Sequence, residues 1–164
     1  MLTKSTILQE LNHAKITHAR WVKRAEHLIS GLPVDKEFIP LDPTECGFGQ
    51  WLYGSVGEQL RFESEFREMI EEIEQYHDDI HEIYAHIYKL YFVLPKKRSF
   101  WEKVMTFNNT EPTENEKMKA KSYFIILQNI SEELLMHLKR LELKVRVSNN
   151  TFNQIPKTHY SATA

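Results

Sequence analysis

The chain has 164 residues, 41% of them hydrophobic and 27% charged, and its 21 basic and 23 acidic side chains leave a formal charge of −2. That length suits one domain with a sizeable core, five Gly and six Pro are few for a turn-rich β architecture, and near-neutrality excludes a broadly basic nucleic-acid binder. A single cysteine excludes an intramolecular disulfide framework and fits a reducing, cytoplasmic setting, while no apolar run reaches the ~18 residues of a membrane span or forms a signal peptide.

In chain order, the first predicted element is a helix with Leu11, Ala14, His18, Trp21, Ala25, Leu28 and Leu32 on one stripe, ended by Gly31 and Pro33. Asp42 is placed to cap a short helix that begins at Pro43 and carries Cys46. A second long helix is predicted from about Val56 to Phe92. Its stripe is Phe66, Ile70, Ile73, His77, Ile80, Tyr84, Ile87 and Tyr91, and Pro95 is expected to stop it. Ser99 and Glu102 have capping-box spacing for another short helix. The third long helix opens with Thr113 and Glu116 as a capping box and carries Phe124, Leu127, Ser131, Leu134, Leu138, Leu141 and Val145. Helices of this length bury their stripes only by lying alongside one another. The expected fold is all-α, an antiparallel bundle of three long helices with shorter ones packed on it, four-helix-bundle-like. One domain is expected over 1–147, with 148–164 a polar, aperiodic tail.

Charge is unevenly spread. Residues 1–88 carry 8 basic and 16 acidic side chains, net −8; residues 89–164 carry 13 and 7, net +6. In Glu63–Glu82 nine acids accompany only Arg67, which reads as a solvated helix face or as a docking surface for a basic partner.

Two stripes are interrupted by histidine where a core side chain is expected, at His18 and His77. His81 follows His77 by one turn, so the two imidazoles leave the same helix face and can converge on one ion. Cys46 sits near a helix N-terminus, where the helix dipole favours the thiolate that metals bind, between Gly47 and the loop before it. Three imidazoles and one thiolate from three helices make a closed tetrahedral donor set for zinc. Oxygen-seeking calcium and magnesium do not suit it. Four protein ligands leave no open position for water, so no catalytic residue is assigned and no enzyme is expected. Asp78 and Asp79 flank His77 and are candidates to orient a ring from outside the donor set. His13 and His86 point to other helix faces and are left out.

These residues resemble the chemoreceptor zinc-binding domain family. The resemblance lies in His18-Ala19-Arg20-Trp21, in Cys46-Gly47-Phe48-Gly49-Gln50-Trp51, and in His77 and His81 with three residues between them, over about residues 11–91. It implies a cytoplasmic bacterial regulatory domain that binds one zinc through His18, Cys46, His77 and His81. Such a domain serves chemotaxis or cyclic-di-GMP signalling, responds to zinc level or cysteine oxidation, and works as a homodimer with a signalling partner. No receptor tip or cyclase domain accompanies it in these 164 residues. Two rival readings differ in kind. One is a helical interaction module with an acidic docking face and a structural metal or none. The other is a zinc hydrolase, for which His77-Asp78-Asp79-Ile80-His81 has Asp where the zincin motif has Glu.

Overall fold

A computed structural model describes residues 3–34, 40–97 and 111–149. Among these residues there is no strand; the elements are α1 (Lys4–Ile29), α2 (Gly47–Leu52), α3 (Ser55–Phe62), α4 (Arg67–Tyr88), a π-helical turn (Lys89–Val93), α5 (Leu94–Lys97) and α6 (Glu114–Val147). The all-α expectation holds. The predicted Ser99–Glu102 helix and the tail beyond Asn149 lie outside the described residues.

Local chemistry sets the ends of the long helices. Thr3 caps α1 by accepting from the Thr6 N–H at 3.1 Å. Its far end closes in a Schellman motif: Leu32 N–H donates to His27 O at 3.0 Å, Gly31 N–H to Leu28 O at 3.1 Å, and Gly31 takes φ +78°, where a side chain would be strained. The chain therefore leaves the helix before Leu32, which is exposed rather than part of the stripe. At α6 the capping box is complete, with Glu116 N–H on Thr113 Oγ1 at 3.3 Å and Thr113 N–H on Glu116 Oε2 at 2.6 Å.

The second predicted helix is two helices. A continuous helix would put Phe62 and Phe66 on one face, yet Phe62 is exposed and Phe66 is fully buried. The turn at Glu63–Phe66 rotates the chain so that Phe66 enters the core, and Arg61 spans the break to Glu74 at 2.9 Å. Pro95 does not stop the helical path. The π turn just before it bonds Leu94 N–H to Lys89 O, and Pro95 then sits in the first turn of α5, where a missing N–H breaks no bond.

Three long helices make the bundle. Lys4 Nζ donates to Arg146 O at 3.1 Å, and Lys15 pairs with Glu142 at 2.6 Å, so α6 runs antiparallel to α1. Lys144 Nζ reaches Glu65 O, and Tyr123 stacks on His86, so α6 also runs antiparallel to α4. Parallel α1 and α4 thus share one antiparallel neighbour, and the α2–α3 crossover closes the side between them. The core comprises fully buried Leu11, Ile70, Ile73, Leu127, Leu134 and Leu138, among others. Fully burying each Leu or Ile is worth about 1.5–3 kcal/mol, which dominates the about 1 kcal/mol or less of a partly exposed pair such as Lys15–Glu142.

Candidate metal centre

Cys46 and the segment before it define one wall of the site. Asp42 does not open a helix at Pro43: its Oδ1 accepts from Thr44 N–H at 2.8 Å and Thr44 Oγ1 at 2.7 Å, closing a turn. The helix starts four residues later, with Cys46 itself as the N-cap, its Sγ accepting from Gly49 N–H at 3.1 Å. Gly49 is required by this fold-back, because a Cβ there would lie 1.8 Å from Pro43 O. At Gly47 a Cβ would stand 3.1 Å from Thr17, so the glycine lets α2 approach α1 closely.

His77 and His81 leave adjacent turns of α4 on its buried face, with ring centroids 4.7 Å apart. Cys46 Sγ lies 3.2 Å from His77 Nε2, and donor atoms of Cys46, His77 and His81 all fall within 4.8 Å of one another. A tetrahedral ion with bonds of about 2.0–2.3 Å holds its donors roughly 3.3–3.8 Å apart, so small side-chain adjustments close this group on one ion. These three residues and His18 line a cavity of about 10 Å³, which is room for one water-sized body. Thr17, Trp21, Gly47, Phe48 and Ile80 complete its lining.

His18 borders the same cavity but stands outside the group of three. Its Nε2 is 2.8 Å from Ser131 Oγ on α6, with both residues buried. His81 Nδ1–H donates to Leu41 O at 3.0 Å, which leaves its Nε2 for a metal. His77 Nδ1 is buried without a partner. Asp78 and Asp79 orient none of these rings. Asp78 accepts from Tyr53 OH at 3.4 Å, and Asp79 from Gln75 Nε2 at 2.9 Å. Ser131 and the Leu41 carbonyl hold the rings instead. A serine interrupting the leucine stripe of α6 was a visible signal; a backbone carbonyl leaves none.

Burial controls the protonation of the site. It lowers His18 to about 4, with help from neighbouring His81, and His77 to about 3, with help from His81 and His18. His81 is lowered for the same first reason, opposed by its bond to Leu41 O. The imidazoles are therefore neutral at pH 7, as metal ligands must be. Burial also raises the Cys46 thiol, overriding the N–H groups of Gly49 and Phe48 that favour the thiolate. The helix N-terminus predicted to lower this thiol is real but smaller than the desolvation it opposes; a cation in the cavity would tip the balance.

Neutral imidazoles and a sulfur donor around a one-atom cavity fit zinc. Residues 18–88 match the family model of the chemoreceptor zinc-binding domain, which agrees with the resemblance carried by the His18, Cys46 and His77–His81 motifs. Zinc is the cofactor that the donor set and the family together call for. The match ends at Tyr88, so α6 lies outside it. No curated protein and no solved structure matches the chain. No helix among the described residues is long and apolar enough to cross a membrane.

Proposed function

We propose, from the family match over residues 18–88, that this chain is a zinc-binding regulatory module of bacterial signal transduction, of the chemotaxis or cyclic-di-GMP kind, in a cytoplasmic setting. The observation that carries the reading is the convergence of Cys46, His77 and His81 on one buried cavity. His18 completes the donor set from α1. Bound zinc supplies positive charge that keeps the Cys46 sulfur a thiolate. The four ligands then fasten α1, α2 and α4 to one point, and no ligand position remains for substrate water. A zincin-like role is disfavoured further because Asp78, at the position of the zincin Glu, is exposed and engaged with Tyr53.

Cys46 is the donor that an oxidant changes reversibly. A groove of about 300 Å³ bordered by Arg20, Arg24, Glu45 and Cys46 reaches it from the surface. Hypochlorous acid transfers its oxygen to the thiolate sulfur, the S–O bond forming as the O–Cl bond breaks, with chloride leaving with the electron pair and the proton going to solvent; the sulfenate formed is a weaker donor, and α2 is released with Phe48 and Trp51. Hydrogen exchange on the zinc-loaded, zinc-stripped and oxidised full chain tests this. The reading expects faster exchange in Gly47–Leu52 in both treated forms. Unchanged exchange leaves a permanently structural zinc, with the acidic face of α4 as the alternative, protein-docking function.

Assembly belongs to the same proposal. Met118, Ile125, Met136, Leu143 and Val147 are exposed and follow one another at two, three, two and one turns of α6, so they form one apolar stripe. A second copy of the chain is its occupant. Antiparallel pairing about Met136 sets Ile125 against Val147 and the Glu132–Glu133 pair against Arg140 and Lys139. Light scattering at micromolar concentration is expected to give a dimer that Met136→Glu dissociates; a 19.5 kDa species throughout contradicts it.

A further inference from the structure

Helix α6 lies outside the residues that the family model matches, yet it touches the cavity wall through the contact of Ser131 with His18. Its inner stripe runs Phe124, Leu127, Leu134, Leu138, Leu141 and Val145, interrupted in the middle by Ser131, while the helix's other buried polar residue, His137, faces Glu72. A buried hydroxyl in an apolar stripe costs stability unless it is bonded. Ser131 is 6% exposed and His18 is 3% exposed, and the 2.8 Å contact between Ser131 Oγ and His18 Nε2 satisfies both.

We infer that Ser131 is a positioning residue for zinc: by engaging His18 Nε2 it fixes the ring and its tautomer so that Nδ1 is the nitrogen offered to the ion. This rests on His18 being a ligand, as proposed above. The chemistry follows from the ring having two nitrogens. In the neutral imidazole one carries hydrogen and the other a lone pair. With Nε2–H donating to Ser131 Oγ, the lone pair stands on Nδ1. His81 is fixed in the opposite sense, because its Nδ1–H donates to Leu41 O and its lone pair stands on Nε2. The Ser131 hydroxyl hydrogen can turn elsewhere once its oxygen accepts. Such outer partners commonly hold about 10–100-fold of metal affinity. The consequence for the molecule is that α6 is coupled to the site through one hydrogen bond. The helix carrying the apolar outer stripe is thereby tied to the ligand from α1.

The test measures zinc affinity of the full chain by chelator competition for wild type, Ser131→Ala, Ser131→Thr, His18→Ala and the His18→Ala/Ser131→Ala double variant. Helical circular dichroism checks folding. Two-dimensional ¹H–¹⁵N spectra of the imidazoles report the tautomer. The expected result is a 10–100-fold loss in Ser131→Ala with one zinc still bound, near-recovery in Ser131→Thr, and no further loss when Ser131→Ala is added to His18→Ala. The zinc-loaded wild type is expected to show His18 as the Nε2–H tautomer. Unchanged affinity in His18→Ala overturns the ligand reading. A loss in His18→Ala with none in Ser131→Ala, or a Ser131→Ala loss that persists in full without His18, or an Nδ1–H tautomer in His18, overturns the positioning role alone.

Discussion

At the scale of single residues, the site is a set of groups whose ionisation is set by burial. His18 and His77 have folded-state values of about 4 and about 3 against an ordinary 6.5. The native state therefore binds fewer protons than the unfolded state between those values, and stability falls with falling pH. For the chelator-treated protein, the contribution of these two groups is fully present above about pH 6.5 and is lost as the pH falls from there through about 4 and about 3. Urea midpoints at a series of pH values check this, and a midpoint flat across that window contradicts it. Exposed His13 and stacked, exposed His86 do not line the cavity. Alanine at either is expected to leave zinc at one per chain by metal analysis. Histidines at stripe positions, and a pair one turn apart, were legible because helical period alone places them on a buried face. That His18 would be shared with Ser131 was not, because the two lie far apart in sequence and only the docking of α6 brings them together.

At the scale of elements, α2 is the delicate part. It has six residues, far too few to persist alone, and its N-cap is the Cys46 sulfur. Its geometry depends on Gly49, whose missing Cβ makes room for Pro43 O. Gly49→Ala is expected to cost about 1–3 kcal/mol and to weaken zinc binding with it, because the displaced backbone carries Cys46. Thermal melts with and without zinc check this. A melting temperature equal to wild type in both states contradicts it. The capping box of α6 was readable from Thr113 and Glu116 because caps are local. The break at Glu63–Phe66 was not, since neither Gly nor Pro marks it and the cause is tertiary: Phe66 is drawn into the core while Phe62 stays outside. Likewise Pro95 signalled an end that the preceding π turn removes.

At the scale of the whole molecule, the site is set into an extensive apolar core. Leu127, Leu134, Leu138 and Leu141 of α6 are fully buried, as are Ile70, Ile73 and Ile87 of α4. Metal binding contributes roughly 10–16 kcal/mol in small zinc peptides that lack such a core. Here chelation is expected to lower the melting temperature while leaving helical circular dichroism in place; collapse of the helical signal at 25 °C would contradict an independent core. The all-α architecture was legible because three long stripes admit few arrangements. The parallel course of α1 and α4 about one shared antiparallel neighbour needed the contacts between them. In the acidic run Arg61 pairs with Glu74, His137 Nε2 of α6 lies 3.4 Å from Glu72 of α4, and Glu68, Glu71 and Glu82 face solvent.

The central claim is that one zinc ion is held by the Cys46 sulfur and the imidazoles of His18, His77 and His81. Zinc-edge X-ray absorption of the full chain tests it most directly, because it counts donors by element and distance. The account predicts one sulfur at about 2.3 Å and three nitrogens at about 2.0–2.1 Å, with multiple scattering from three imidazole rings. A first shell without sulfur, or one with two imidazoles and an oxygen, would contradict it.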